Sequence, residues 1–515
     1  MKRRNFFRTS ALTSVPVLLN GMKLNAVPFP FMMNGGEDND RVLVLIQLNG
    51  GNDGLNTVIP KDQFSELSQL RSNIMIPEPS VLTIEDKVAL HPSMGLLRDM
   101  YMDGKMEIVQ GVAYPNQDRS HFRSSDIWTS GSGATEYLST GWLGRYFYND
   151  HPDYPEGYPN AEYDAPFALT MGSLVSETCQ GPLTNFSLAL NDPFALTPLT
   201  EGEAGNLPDN NYGKELRFLI DAIAQTNAYG SVITDSANSG SNQVTYPAAN
   251  RLAQQLKNVA LLISGGLKTK VYIVSLGGFD THSGQVDDDT TQGTHADLML
   301  QLSEAISLFH QDIKLAGKEE KVLTMTFSEF GRQIRSNDSL GTDHGTAAPL
   351  FLFGSCVKPG ILGDNAQLNV DSDPQEGVAM QYDFRSVYAT VMRDWLTLDE
   401  NTIFEILNPD VQFLPLIEGC SLSTAIQNEV FLDTQFKLFP NPASTHTTME
   451  WKSNGQPWTA TLMDKWGHEI RTWNGGKVTT AKMSQQLNLP SIPSGHYYIH
   501  LRQGNQSVTK GIMVN

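Results

Sequence analysis

Five stretches of the chain are almost continuously apolar: RVLVLIQL (41–48), MEIVQGV (106–112), VYIVSL (271–276), VLTMTF (322–327) and PLFLFG (349–354). Short runs of this kind, bounded by glycine or polar turns, predict strands buried on both faces, as in a parallel sheet. Between them the apolar spacing changes to i, i+3, i+4. ANRLAQQLKNVALLIS (249–264), HADLMLQLSEAISLFHQDI (295–313) and FRSVYATVMRDWL (384–396) predict amphipathic helices. Strands alternating with helices predict an α/β fold with a doubly wound, mainly parallel sheet over residues 40–419. Residues 114–245 break the rhythm. They are rich in Gly, Ser, Asn, Asp, Pro and Tyr, with one helical stretch, KELRFLIDAIAQTN (214–227). This segment predicts a loop-rich insertion covering one end of the sheet.

Near the C-terminus the period becomes two. WTATLMDKWGHEIRTW (458–473) and HYYIHLRQGNQSVTKGIMV (496–514) each predict two short strands around a turn. Residues 434–515 therefore predict a small β-sandwich, joined to the body by a linker over 420–433. Charge divides the chain at the same place. The tail carries eight Lys and Arg against three Asp and Glu, and the remainder carries 28 against 53. A net charge of −20 argues against nucleic acid or an anionic membrane as partner.

The other end reads MKRRNFFRTSALTSVPVLLNGMKLNA, with Arg3 and Arg4 ahead of a modest apolar stretch at 11–19. Residues 1–35 predict a twin-arginine-like export signal; an ordinary secretory signal and a basic tail remain open. No segment is long and apolar enough to predict a transmembrane span. Three cysteines, Cys179, Cys356 and Cys420, lie far apart with no CxxC spacing. They argue against a disulfide framework or a thiolate zinc site and read as buried free thiols, with a single disulfide left open.

Ligands of an open parallel sheet bind beyond the carboxyl ends of its strands, so the residues after each strand carry the candidate chemistry. The first strand is followed by NGGND, ending in Asp53, and the next leads to Ser120 and His121. The third apolar strand delivers Asp280 and His282, the fourth Glu329 and Arg332, and Asp343 and His344 come just before the fifth. Alone, each reads equally well as a turn or a helix cap. Together they crowd carboxylates and imidazoles at one predicted rim, which costs electrostatic energy unless a divalent cation sits among them. Such donors suit zinc, manganese or iron better than calcium. There is no G-x-S-x-G elbow, Walker loop, HExxH, or G-x-G-x-x-G after the first strand.

Two resemblances sharpen this. LIQLNGGNDGLNTVIP, RSHFRSSDIW, SLGGFDTHSGQ, TFSEFGR and GTDHGTAAPLFLFG resemble the bacterial family called domain of unknown function 1501, over roughly 40–400. That family is placed in the alkaline phosphatase and sulfatase superfamily. FKLFPNPAS, LMDKWGHEI, LPSIPSGHYYIHL and KGIMVN resemble the type A sorting domain of the Bacteroidetes type IX secretion system. The first resemblance implies an alkaline phosphatase-like fold and one or two divalent ions, zinc or manganese. Their ligands would be Asp53, Asp280, His282, Glu329, Asp343 and His344. It further implies a nucleophile at Ser120, with His121 orienting it or acting as acid. Arg332 and Arg123 would grip the anionic oxygens of a small or polymeric ester. None of CQGPL, CVKPG and CSLST carries the x-Pro-x-Arg that the common sulfatases require after their modified residue. The second resemblance implies passage through the outer-membrane secretion machinery, with the periplasm in transit and release or surface attachment at the end. The expected function is an exported metal-dependent hydrolase of phosphate or sulfate esters. The alternative is a non-catalytic cell-surface binding or assembly protein on the same fold.

Overall fold

Each apolar run becomes a strand because it can be covered on both sides. The computed structural model describes residues 40–196, 226–408, 410–418 and most of 436–514, with two paired three-residue strands, Val17–Leu19 and Met22–Leu24. The export-signal reading lies otherwise outside the described residues. So does the helix expected over 214–227, apart from its last two positions, which are helical together with residues 228–239. The chain divides into two compact units, residues 1–419 and 420–515. Among the described residues no helix is long and apolar enough to cross a membrane.

The first unit is built on a nine-stranded sheet. Its strands are β1 (Val42–Asn49), β2 (Met106–Ala113), β3 (Ala168–Met171), β4 (Ser187–Leu190), β5 (Val271–Gly277), β6 (Val322–Phe327), β7 (Ala348–Phe353), β8 (Gly360–Leu362) and β9 (Tyr382–Asp383). They lie in the order β8-β2-β7-β6-β1-β5-β3-β4, with β9 also paired to β2. β1 is central, and Leu43, Val44 and Ile46 are inaccessible to solvent. Only β7 runs antiparallel to the rest. The α/β class and the mainly parallel sheet expected from the pattern are therefore present. The stretch 114–245, expected as loop cover, adds β3 and β4 to the edge of the sheet as well as helices. These four-residue strands are too short for their period to stand out.

Helices α1 (Gly95–Met102), α3 (Arg251–Ser264) and α4 (Thr294–Leu315) bury Leu97, Leu256, Val259, Leu302, Ile306 and Phe309 in one core with Val44, Ile46 and Val274. Strand residues alternate sides, so Leu43 and Leu45 face the opposite layer. There Trp128 of α2 (His121–Ser130) stacks on Phe384 of α5 (Phe384–Thr390), with ring centroids 4.4 Å apart. The expected helix over 384–396 is α5 followed by a π turn, Val391–Trp395. Cys179 is buried and free, whereas Cys356 is disulfide-bonded. The free-thiol reading is thereby corrected at Cys356; a disulfide there suits an oxidising compartment.

The second unit is two antiparallel sheets. One contains Lys437–Phe439, His446–Lys452 and Lys482–Asn488; the other contains Glu469–Gly475, Trp458–Met463, Gly495–Gln503 and Gln506–Val514. Trp451, Leu462, Leu487, Ile499 and Ile512 close a shared core between them, giving the small sandwich that the period-two pattern predicts.

Two core histidines tie the body's stability to pH. Burial holds both His91 and His310 down to about 3. The unfolded chain, with imidazoles near 6.5, then binds more protons than the native state between pH 6.5 and 3. This contribution is complete above 6.5 and is lost as pH falls. Well inside the window each histidine should add a slope of about 1.4 kcal/mol per pH unit. Urea unfolding of the body between pH 6.5 and 5 should therefore show a falling midpoint. His310→Gln should flatten the fall, and an unchanged slope would refute the assignment.

Candidate metal centre

The sheet register brings distant segments to one rim. Asn49 is paired with Gly277, and Gln47 with Phe327, so β1, β5 and β6 end side by side. Asp280 and His282 leave β5 there, and Glu329 and Arg332 leave β6. Because β7 is antiparallel, the residues that precede it, Asp343 and His344, also lie at this rim. β2 runs parallel to β1, so its exit leads to His121 at the start of α2. Close backbone approach locks these loops. Gly50 has φ +123°, and a Cβ there would lie 2.2 Å from the Asp280 nitrogen. At Gly345 a Cβ would lie 2.1 Å from the Arg332 carbonyl carbon.

Asp280 Oδ1 is the common vertex. His282 Nε2 lies 3.2 Å from it, His344 Nε2 3.3 Å and His121 Nε2 3.5 Å, and the two nitrogens of His282 and His344 are 2.9 Å apart. The other nitrogen of each ring faces an acceptor. His121 Nδ1 is 2.9 Å from Glu329 Oε1, His282 Nδ1 is 2.7 Å from Asp343 Oδ1, and His344 Nδ1 is 2.8 Å from the Arg119 carbonyl. A neutral imidazole carries one proton, and these acceptors draw it to Nδ1. Three Nε2 lone pairs then converge on a carboxylate oxygen. That arrangement is repulsive unless a cation lies among them. Around a tetrahedral zinc with bonds of 2.0–2.1 Å, donor atoms are separated by about 3.3–3.4 Å. The three separations from Asp280 Oδ1 and the one between His282 and His344 lie near this, and the donor types suit the metal that the resemblance implies, although His282 stands outside the group whose ligand atoms all approach one another. Among the described residues, His121, Asp280 and His344 are the group whose ligand atoms all lie within 4.8 Å of one another.

The surroundings fix the charges. Burial raises the Asp280 pKa, but the Arg332 guanidinium at 2.8 Å, helped by His344 and His282, overrides it and holds the carboxyl at about 2. Burial lowers the pKa of His344, against the opposing pull of the Arg119 carbonyl and Asp280. Glu329 is buried, and its Oε1 also accepts from the Gly50 amide at 2.8 Å.

The remaining candidates lie elsewhere or act differently. Asp53 does not point into the cluster; it is 1% exposed and both its oxygens accept from Arg71 Nη1, at 3.0 and 2.8 Å. Burial raises its pKa, but Arg71, His295 and Gln285 bring it below the usual carboxylate range. Arg332 is not an outward clamp. It is buried and donates to the carbonyls of Gly50, Gly51, Phe279 and Thr342 as well as to Asp280. Arg123 donates to Asp126 and to the carbonyls of Gly133, Ala134 and Glu136, with its guanidinium over the Tyr137 ring. His121, expected to assist catalysis, stands with the ligand donors. Ser120 is the exposed N-cap residue of α2, and its hydroxyl makes no capping bond. Sequence reasoning missed Arg71, Gln285 and the Arg119 carbonyl. No local motif marks any of them, since Gln285 and the Arg119 carbonyl meet Asp53 and His344 more than 200 residues away and Arg71 meets Asp53 across a turn of the fold.

Residues 189–409 match the family model described as a protein of unknown function (DUF1501), and residues 437–515 match the secretion system C-terminal sorting domain. No curated protein matches the chain. Among solved structures, Ps i-CgsB in complex with a neocarrahexaose is 9% identical, with 81% of this chain and 85% of that chain covered at a TM-score of 0.34. A protein of the alkaline phosphatase superfamily from Vibrio parahaemolyticus is also 9% identical, with 68% and 65% covered and a TM-score of 0.30. The PsFucS1 sulfatase from Pseudoalteromonas sp. is 9% identical, with 86% and 83% covered and a TM-score of 0.30. At these identities and scores the likenesses say nothing about activity. The sorting match indicates export. The chain thus carries a match to the DUF1501 model over 189–409 of its body and a match to the secretion sorting model over 437–515 at its C-terminus.

Proposed function

We propose that the body is an exported, metal-dependent hydrolase of phosphate or sulfate esters. The supporting observation is the convergence of three imidazole Nε2 atoms on Asp280 Oδ1, each ring backed by an acceptor at Nδ1. His121, Asp280, His282 and His344 would hold the ion, zinc or manganese by the chemistry of the donors. When bound, such an ion supplies Lewis acidity toward the anionic oxygens of an ester. Glu329, Asp343 and the Arg119 carbonyl hold the rings in one tautomer. Arg332 keeps Asp280 ionised and aimed. Ser120 is the candidate nucleophile, exposed beside His121 with its hydroxyl uncommitted to capping. The uncapped start of α2 leaves backbone N–H groups for an anionic oxygen.

In this reading a twin-arginine-like signal takes the folded chain across the inner membrane. Residues 434–515 then engage the outer-membrane machinery and are removed.

Asp280→Asn should keep the fold, by circular dichroism, yet lose all turnover of an aryl phosphate and aryl sulfate panel. No turnover by the native, metal-replete chain, together with saturable glycan binding, would favour the binding-protein reading. Glu329→Gln and Asp343→Asn should each weaken zinc binding by about 10–100-fold in competition with a chromophoric chelator. Unchanged affinity in both would count against the ligand set.

A further inference from the structure

Asp53 is buried beside the metal cluster, yet its charge is already answered. Arg71, itself inaccessible to solvent, donates to both Asp53 oxygens and is anchored by the carbonyls of Ile334 at 2.8 Å and Gln333 at 2.7 Å. A guanidinium cannot be neutralised in a protein, and this one is fixed by backbone. A second divalent ion on Asp53 would have to displace it. The other hydrogen bond to the Asp53 carboxylate leads back to the cluster. Gln285 Nε2 donates to Asp53 Oδ2 at 2.6 Å. Gln285 Oε1 accepts from Thr281 Oγ1 at 3.0 Å and from Thr342 Oγ1 at 2.8 Å. Thr281 stands between Asp280 and His282, and Thr342 immediately precedes Asp343 and His344. Arg71, Asp53, Gln285, Thr281 and Thr342 are all at most 3% exposed.

We infer that the body takes a single divalent ion, and that Arg71, Asp53 and Gln285 form a positioning relay gripping both ligand-bearing loops. Arg71 stands where a second cation would otherwise balance Asp53. Asp53 orients the Gln285 amide, and Gln285 holds the two loops at the separation that one ion bridges. Asp53 and Gln285 are positioning residues. This rests on the metal reading above and deepens it by fixing the number of ions and the source of their geometry.

The full-length chain, stripped of metal and dialysed against zinc, should hold one ion per chain by elemental analysis. Asp53→Asn should still hold one, with affinity about 10–100-fold weaker, and cobalt substituted for zinc should show shifted d–d bands. Should Asp53→Asn fail to fold, Gln285→Met, which keeps length but removes the amide, should behave the same way. Asp280→Asn should hold none. Two ions in the native chain, falling to one in Asp53→Asn, would overturn the inference and leave the hydrolase reading standing. One ion, with affinity and cobalt spectrum unchanged in both relay variants, would overturn the positioning role. No ion in the native chain would remove the metal site and this inference with it.

Discussion

A carboxylate oxygen within 3.5 Å of three imidazole nitrogens sets the terms for this body. Each ring is turned so that its outer nitrogen meets an acceptor and its inner nitrogen meets the carboxylate. Every loop at the rim is arranged to hold that orientation. Gly50 lets the first turn pass against the Asp280 backbone and offers its amide to Glu329, which holds His121. Arg332 ties the same turn to Asp280. One buried cation thus serves backbone carbonyls and a carboxylate at once, which offsets its desolvation.

The reversal of one strand is what makes this geometry available. In a wholly parallel sheet only the segments following strands reach the carboxyl rim. β7 runs the other way, so the segment ahead of it, with Asp343 and His344, arrives at the rim next to the segment leaving β6. A bridge between Arg332 and His344 then joins arrival to departure. The arginine that fixes Asp280 and the histidine that shares its oxygen are thereby held in one short piece of backbone pairing.

Much of this was legible in the chain. Strands buried on both faces have no polar side to hide, so their composition gave them away, and the polar residues collected after them pointed to the rim. What was illegible depended on partners. Asp53 follows the first strand as a ligand would, but Arg71 claims it, and nothing in the local sequence distinguishes a carboxylate that meets a guanidinium from one that meets an ion. Arg332, surrounded by glycine and polar residues, resembled a surface clamp; only the fold shows the five acceptors that bury it. His121 reads in the sequence as an aid to its neighbour Ser120, whereas in the fold its Nε2 stands with those of His282 and His344 around Asp280. The strands Ala168–Met171 and Ser187–Leu190 were hidden because four residues on a sheet edge carry too little periodicity to stand out from surrounding turns.

The donor chemistry and the C-terminal sorting match bear on each other. A protein assembled for passage out of the cell meets oxidising conditions, in which thiolate ligands are open to loss as disulfides or sulfenic acids. Here Cys356 is already disulfide-bonded, and burial pushes the Cys179 thiol pKa upward, away from the reactive thiolate. The donors at the rim are imidazoles and a carboxylate, which such conditions leave intact. Their orientation comes from hydrogen bonds within the body, through Glu329, Asp343 and the Arg119 carbonyl.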